Sequence, residues 1–393
     1  MIDSRAFKTP ARVLSKLWKA FWNDAPKHLA TAVANFLLTV ESWLLDSKKA
    51  TYGLAVTRML FAVTALGLLA SNFSTRFYTF GSGSAWTGEM AERRSGFIDI
   101  WLFSSFDRLI QNDVAFTLLY LLVAVLAVTL LVGYRVRLLL PVFWVLWVSL
   151  VELQDMVSDQ GDNIFRIALF GMMFADSASR WSIDAKRRRK KVATRNVLVR
   201  LWKAAPVFPT QLVTMAHNLV IVTLTCQVIF VYVSGALYKA GGVPWQNGTA
   251  VYAPLHVTRF APWPELSELA TVWAPGVAIM TIGSVLVQLC FPGALLFRWT
   301  RIPILFAMIS FHAGIGLLMG LPWFSLAMVA IDSIFVRDVT WGRIETWFKE
   351  AISAQPETST PSIVEDDKST DEKTEEHQGS PETTIRALET ANR

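Results

Sequence analysis

The sequence contains only two cysteines, Cys226 and Cys290, and only five histidines in 393 residues. No CxxC pair exists, which excludes a thiol oxidoreductase of that type, and we expect both cysteines to pack as small apolar residues within membrane spans. The histidines show none of the paired spacings typical of zinc sites, so we expect no metal. A phosphate-binding glycine loop and a G-x-S-x-G motif are also absent, which argues against common nucleotide-binding and hydrolase classes.

Charge is also scarce, since 17% of the residues are charged whereas 53% are hydrophobic, and sixteen are tryptophans. A soluble globule of this length is rarely so apolar, and the composition is typical of a protein that crosses a bilayer several times. The net charge of +6 arises from basic clusters in loops rather than from a nucleic-acid-binding surface. We therefore expect the lipid bilayer as a partner and no nucleic acid.

Apolar runs long enough to cross a hydrocarbon core of about 30 Å occur eight times and predict an all-α, polytopic membrane helix bundle of about eight transmembrane helices. The runs cover residues 53–71, 114–133, 137–154, 163–179, 211–237, 270–297, 302–320 and 322–336. The strongest basic loop, KRRRKKVATRNVLVRLWK, lies between the fourth and fifth runs and predicts the cytoplasmic side. With eight spans, both termini are then also cytoplasmic, and we expect a multi-pass protein of the cell membrane.

Three regions follow from the composition of the chain. Residues 1–50 contain the basic, amphipathic stretch ARVLSKLWKAFW and an apolar stretch interrupted by Glu41, and we expect two helices on the inner leaflet rather than a signal peptide or a ninth span. Residues 51–340 form the predicted transmembrane domain. Residues 341–393 form an acidic cytoplasmic tail, which we expect to be disordered because it has almost no large apolar residues beyond residue 354.

The segment QGDNIFRIALF places two opposite charges four residues apart, in Asp162 and Arg166. On a helix these side chains share a face, so we expect an ion pair that enters the membrane from the outer side. The pair has two possible roles. It either fixes the helix in the bundle or also lines a functional site.

Three further polar residues lie in or near apolar runs. His312 is near the middle of the seventh run, where it either forms an interhelical hydrogen bond or transfers a proton. We expect His217, near the inner end of the fifth run, to be interfacial. We expect Arg58, near the start of the first run, to extend its side chain to the inner headgroups.

Lys239 ends the fifth apolar run and is followed at once by Gly241, Gly242 and Trp245. One interpretation is a lysine that reaches the outer headgroups from the end of a helix. The other is a general base, because apolar surroundings disfavour an ammonium and glycines allow an unusual backbone path beside a tryptophan. The spacing alone leaves both interpretations open.

The order of these segments resembles the HTTM family, the membrane domain shared by vitamin K-dependent gamma-carboxylase and many bacterial proteins, including membrane subunits of sporulation-delaying toxin systems. The resemblance covers about residues 50–337. It rests on LAVTRMLFAV, FYTFGSGS, GDNIFRIALF, SGALYKAGGVPWQNGTAVY, QLCFPGALLF and FHAGIGLLMGLPWFS. In the carboxylase, the lysine of the loop after the fifth span is the base that starts hydroquinone oxygenation. By position that lysine is Lys239.

The resemblance implies a quinone or hydroquinone, of the menaquinone or vitamin K type, at an outer-face site. For a site of this kind we expect catalytic roles for Lys239, Asp162, Arg166 and His312, and cofactor contacts from Trp245, Tyr232 and Asn163. The match is incomplete, because carboxylases carry an asparagine and a histidine where this chain reads Asp162 and Asn163. The carboxylase also continues into a large lumenal domain that holds its peptide substrate, so we do not expect glutamate carboxylation here.

Two functions from different classes remain open. The first is a quinone-linked membrane enzyme with Lys239 as base, related in chemistry to a carboxylase or quinone epoxidase. The second is a noncatalytic membrane subunit that supports maturation or export of a secreted peptide together with an accessory subunit. Bound quinone would favour the first function, and a neighbouring gene for a small secreted peptide would favour the second.

Overall fold

The computed structural model describes residues 15, 18–19, 25–83, 96–154, 158–188, 196–203, 205 and 207–353. Within these ranges the chain forms helices and turns, with no strand. The chain divides into two units, residues 1–346 and 347–393. The described part of the second unit, residues 347–353, is the end of a helix.

Ten helices of more than ten residues organise the described chain. They are α1 (Ala25–Leu45), α2 (Thr51–Ser71), α3 (Asp113–Val132), α4 (Val136–Val151), α5 (Gln160–Met172), α6 (Thr210–Ala240), α7 (Ala274–Leu296), α8 (Arg298–Leu318), α9 (Pro322–Asp332) and α10 (Asp338–Ser353). Shorter α-helices cover Arg76–Thr79, Ile183–Arg187, Val197–Trp202, Val243–Gln246, Tyr252–His256 and Pro264–Thr271, and 3₁₀ turns cover Asp107–Leu109, Thr258–Phe260 and Ser333–Phe335.

Six helices in the described ranges are long and apolar enough to cross a membrane, namely α1, α2, α3, α6, α7 and α8. The all-helical membrane fold is therefore confirmed, and each of the eight predicted runs contains a helix. The count of eight spans is not confirmed. Helices α4, α5 and α9 have 16, 13 and 11 residues, so at 1.5 Å per residue the longest of the three extends only about 24 Å.

Most of the described N-terminal region is one continuous helix, α1. This helix is exposed along most of its length and, from Lys27 onwards, meets the length and hydropathy expected of a span. The predicted preceding amphipathic helix falls mostly outside the described residues, as does the acidic stretch from residue 354. The predicted boundary at residue 340 lies within α10.

Helix α9 lies at the centre of the bundle, packed against α2, α5 and α8. The 3₁₀ turn that follows α9 lies close to α2, because a Cβ at Gly53 would lie 2.7 Å from the carbonyl oxygen of Ser333. The Thr57 hydroxyl donates to the carbonyl of Ala330 at 2.9 Å. Glycine at position 53 thus lets α2 approach the end of α9 closely.

Arg58 does not reach the headgroups as we expected. Its side chain is 2% exposed, and its guanidinium donates to the carbonyls of Leu130, Leu131, Ser177 and Trp181. These carbonyls belong to the end of α3 and to the turns after α5. A planar group with five donors can bind several such acceptors at once, so Arg58 joins three parts of the bundle.

Replacing Arg58 with methionine should lower the free energy of unfolding by about 3 kcal/mol, because several buried carbonyls lose their donor. Methionine keeps most of the apolar stem of arginine, so the decrease in the free energy of unfolding measures the contribution of the hydrogen bonds. Thermal unfolding in detergent would measure the change. Arg108, which is exposed, offers a control: Arg108→Met should change stability by no more than about 0.5 kcal/mol. Equal unfolding temperatures for the two variants would contradict the assignment.

His217 is fully buried, not interfacial. Its Nδ1 accepts the backbone N–H of Asp176, so Nε2 carries the hydrogen and donates to the carbonyl of Lys49 at 2.7 Å. The adjacent Asn218 accepts the N–H of Lys49 and donates to the carbonyl of Ser47. The two side chains hold the turn between α1 and α2 against α6.

Beside this turn, three basic side chains surround Asp176. Lys48 lies 2.6 Å, Arg188 2.8 Å and Arg137 3.6 Å from its carboxylate oxygens. Burial acts to raise the pKa of the Asp176 carboxyl, but Arg188 and Lys48 together hold the pKa well below its usual range. The cluster marks one end of the bundle as basic.

Candidate functional site

An apolar cavity of about 720 Å³ lies at the far end of α6, between α6, α7, α8 and residues 245–255. Among the described residues that line it, Lys239 carries the only charge, and the remaining polar side chains are Ser284, Ser310 and the indole of Trp245. Ligand sites of this size are typically apolar with a few polar groups that fix orientation. The cavity has this character.

Lys239 extends from the last turn of α6 towards the neighbouring helices. Its ammonium donates to Oε1 of the buried Gln288 on α7 at 2.8 Å. The nitrogen lies 5.1 Å from the ring centroid of Trp245 and 5.2 Å from that of Phe311 on α8. No ion pair joins Lys239 to a carboxylate within the described ranges. The partner of the amine is therefore a neutral amide, with aromatic faces beside it.

The backbone after Lys239 explains how Trp245 reaches the cavity. The N–H of Gly242 donates to the carbonyl of Lys239 at 2.9 Å, and a Cβ at Gly242 would lie 3.1 Å from Cδ1 of Trp245. Gly248 has φ +74°, and a Cβ there would lie 3.2 Å from Ala278. The first glycine lets the indole fold back over the turn, and the second lets the loop lie against α7.

Two lining residues connect the cavity with the outer surface of the bundle. Ile279 on α7 is 64% exposed and Phe306 on α8 is 71% exposed. The lining of the cavity therefore includes apolar side chains that are also exposed on the outer surface of α7 and α8. A second cavity, of about 730 Å³, shares Trp245, Ala250 and Pro254 with the first.

Tyr232 and His312 lie in a separate hydrogen-bonded network, although we expected them to share a site with Lys239. The Tyr232 hydroxyl is 2.8 Å from Oδ2 of Asp332 on α9 and 3.2 Å from Nε2 of His312 on α8. All three side chains are at most 2% exposed. Neither Tyr232 nor His312 lines the cavity, although Phe311, adjacent to His312, does.

The predicted ion pair between Asp162 and Arg166 is wrong. Arg166 instead pairs with Glu152, at the end of α4, and donates to the Oδ1 of Asn163. Asp162 accepts the backbone N–H of Asp159, which caps the same helix. At a helix N-terminus the free N–H groups attract carboxylates, and Glu152 then supplies the partner for the arginine.

These α5 residues do not line the cavity in its described part, and their proposed catalytic and cofactor roles stay predictions. Cys226 and Cys290 also differ from expectation, because both are exposed on the surface of their helices rather than packed inside.

Three residues of the region were missed by the sequence analysis. Gln288 and Asp332 are single polar residues inside the apolar stretches VLVQLCF and MVAIDSIF, a signal that often marks a functional or structural site in membrane helices. Phe311 carried no such signal, because one aromatic residue in an apolar helix is ordinary. No group of three or more potential metal ligands occurs in the described part of the chain.

Comparison with known proteins identifies the family to which the chain belongs. Searches of curated proteins and of solved structures gave no match. The HTTM domain model matches residues 47–341, which is well over half of the chain and includes the cavity, Lys239 and the buried network. The apolar helices and the family agree on a multi-pass membrane protein, and the chain belongs to the HTTM domain family.

Proposed function

We propose that this HTTM protein binds a quinone-class molecule in the cavity and that Lys239 removes a proton from the hydroquinone form. The observation that carries the proposal is the amine of Lys239 in the wall of an apolar cavity, with the neutral Gln288 as its partner. An amine paired with a carboxylate is held as an ammonium, whereas an amine beside an amide oxygen can hold or release its proton.

The lining of the cavity supports a flat, apolar ligand. Trp245 and Phe311 present ring faces near the Lys239 nitrogen, and aromatic rings pack favourably on one another. Ile279 and Phe306 line the cavity and are also exposed on the apolar surface, so we propose that a lipid-soluble molecule enters beside them and leaves its tail among lipid chains. A quinone has this combination of a flat ring and an apolar tail.

The proposed chemical step is a proton transfer. The neutral amine of Lys239 accepts the proton of one hydroquinone hydroxyl, which gives an ammonium and a hydroquinone monoanion. Gln288 accepts a hydrogen bond from the nitrogen before and after the transfer, so the amine stays in place. A deprotonated hydroquinone is more easily oxidised than a neutral one. A base at this position would therefore promote oxidation of the hydroquinone in a quinone-linked enzyme.

A titration tests the proposal. The purified protein in nanodiscs should bind a short-chain hydroquinone saturably, and Trp245→Ala should weaken binding about tenfold, equal to about 1.4 kcal/mol, by removing a ring face. Trp299→Ala, which removes an exposed tryptophan outside the lining, is the control. Binding that does not saturate would contradict the proposal and favour a noncatalytic subunit for a secreted peptide.

We propose in addition that the cavity faces the outer side of the cell membrane. Lys239 lies 22 residues after His217 on α6, so about 33 Å of helix separates the cavity from the basic cluster around Asp176. Basic loops remain predominantly in the cytoplasm, which places the cavity on the opposite side.

Two single cysteines test this orientation, with the exposed native cysteines first replaced by alanine. Asn247→Cys should react with a membrane-impermeant thiol reagent in intact cells, whereas Lys186→Cys should react only after lysis. Both positions are exposed on the protein, so access of the reagent decides the result. The reverse pattern would invert the orientation.

A further inference from the structure

The hydrogen-bonded network of Tyr232, His312 and Asp332 has no part in the proton transfer proposed for Lys239. It joins α6, α8 and α9 at their buried faces, with the tyrosine hydroxyl between the other two groups at 2.8 and 3.2 Å. Ionisable side chains are costly in a membrane interior and are usually functional there. Neutral side chains would be enough for a hydrogen bond between these helices, so the carboxyl group of Asp332 points to a further role.

The position of the hydroxyl limits where the protons can be. A tyrosine hydroxyl has one hydrogen, so it donates to one neighbour while it accepts from the other. In the first arrangement, Tyr232 donates to the Asp332 carboxylate and the Nε2–H of His312 donates to Tyr232. In the second, the Asp332 carboxylic acid donates to Tyr232 and Tyr232 donates to the bare Nε2.

The two arrangements can interconvert without movement of a heavy atom. When a proton binds Nδ1 of His312, the hydrogen on Nε2 passes to the tyrosine oxygen as the tyrosine hydrogen passes to Oδ2 of Asp332. The imidazolium and the carboxylate become a neutral imidazole and a carboxylic acid. The net result is that Asp332 has gained one proton, while the hydrogen of the neutral His312 has moved from Nε2 to Nδ1.

The outer atoms of the network are available for this transfer. Nδ1 of His312 and Oδ1 of Asp332 are both buried without a hydrogen-bond partner in the described structure. On the helices packed against α9, Arg58 is bound to backbone carbonyls, Arg166 pairs with Glu152, and Asp162 bonds the N–H of Asp159. Lys239 donates to Gln288. None of these groups forms an ion pair with Asp332.

We infer that Asp332 is a proton-binding site within the membrane domain, and that Tyr232 delivers its proton from His312. The inference goes beyond the proposed function, since it assigns a second proton acceptor that does not contact the cavity. It also holds whether or not the cavity binds a quinone. Phe311 and Gly314 line the cavity on either side of His312 in sequence, so the histidine end of the network is the end nearer the cavity wall.

Infrared difference spectroscopy of the protein in nanodiscs, without any quinone, tests this site. Acidification should produce a carboxylic-acid carbonyl band that Asp332→Asn lacks. After transfer to D₂O, that band should shift about tenfold more slowly in Tyr232→Phe than in the native protein, a barrier increase of about 1.4 kcal/mol. Phenylalanine keeps the ring that packs against Phe291, so only the hydroxyl is lost.

Tyr120→Phe is the matched control, because Tyr120 is equally buried but donates to the carbonyl of Leu69 on another helix. It should leave the exchange rate unchanged. If Asp332→Asn does not fold, Asp332→Glu assigns the band by displacing it. The absence of a titrating band from Asp332, or equal exchange in the Tyr232→Phe and Tyr120→Phe variants, would overturn the inference.

Discussion

Lys239→Arg is expected to abolish proton removal from a bound hydroquinone. A guanidinium remains protonated throughout the physiological range, so it cannot act as a base, although it supplies the same charge at nearly the same reach. Ultraviolet difference spectra should show the hydroquinone monoanion in the native protein and none in the variant. Binding itself should weaken by no more than about tenfold, or about 1.4 kcal/mol, since the apolar lining is unchanged.

The arginine variant separates the two interpretations of Lys239. A lysine that served only as a cation near headgroups would be replaced well by arginine, whereas Lys239→Ala removes stem and charge together and distinguishes nothing. Lys186→Arg, at an exposed position, controls for nonspecific effects of the exchange. Unchanged monoanion formation in Lys239→Arg would contradict a base at this position.

Gly283→Phe is expected to weaken quinone binding about a hundredfold, or about 2.8 kcal/mol, by filling the cavity. Gly283 lines the cavity from α7, and a Cβ there would meet no atom within 4 Å, so the new ring has open space to occupy. The change also replaces a helical glycine with a residue of higher helix propensity, so the helix should not lose stability. Gly314→Phe fills the same space from α8.

Gly293→Phe provides the matched control on the same helix. A Cβ at Gly293 is equally free of neighbours, but this glycine is outside the cavity lining. Titration with a short-chain hydroquinone should therefore give native affinity for Gly293→Phe. If the Gly283 and Gly293 variants bind equally, the ligand does not occupy this cavity.

Hydropathy predicted the long helices well because each of them has enough apolar residues in its own sequence to be recognised as a span. Helices α2, α3, α6, α7 and α8 are apolar over a full span length, and the structure places them within a few residues of the predicted runs. Helix α9 is different, because other helices cover it. Its apolar character reflects packing against protein, which a hydropathy pattern cannot distinguish from contact with lipid.

At the site, too, sequence predicted the residues that are close along the chain but not those that come from other helices. Lys239 and Trp245 were predicted together because one glycine turn connects them. Gln288 and Phe311 come from other helices, and no spacing in a single sequence relates them to Lys239. The Asp162 and Arg166 pair failed for the same reason, since Glu152 on another helix contacts the arginine.

Photo-cross-linking with a quinone analogue tests the central claim, that the cavity beside Lys239 holds a quinone. The account predicts adducts on the loop that carries Trp245 and on the cavity faces of α7 and α8, and their loss in Gly283→Phe but not in Gly293→Phe. Adducts confined to lipid-facing residues elsewhere, or adducts at the cavity that persist equally in Gly283→Phe, would contradict it.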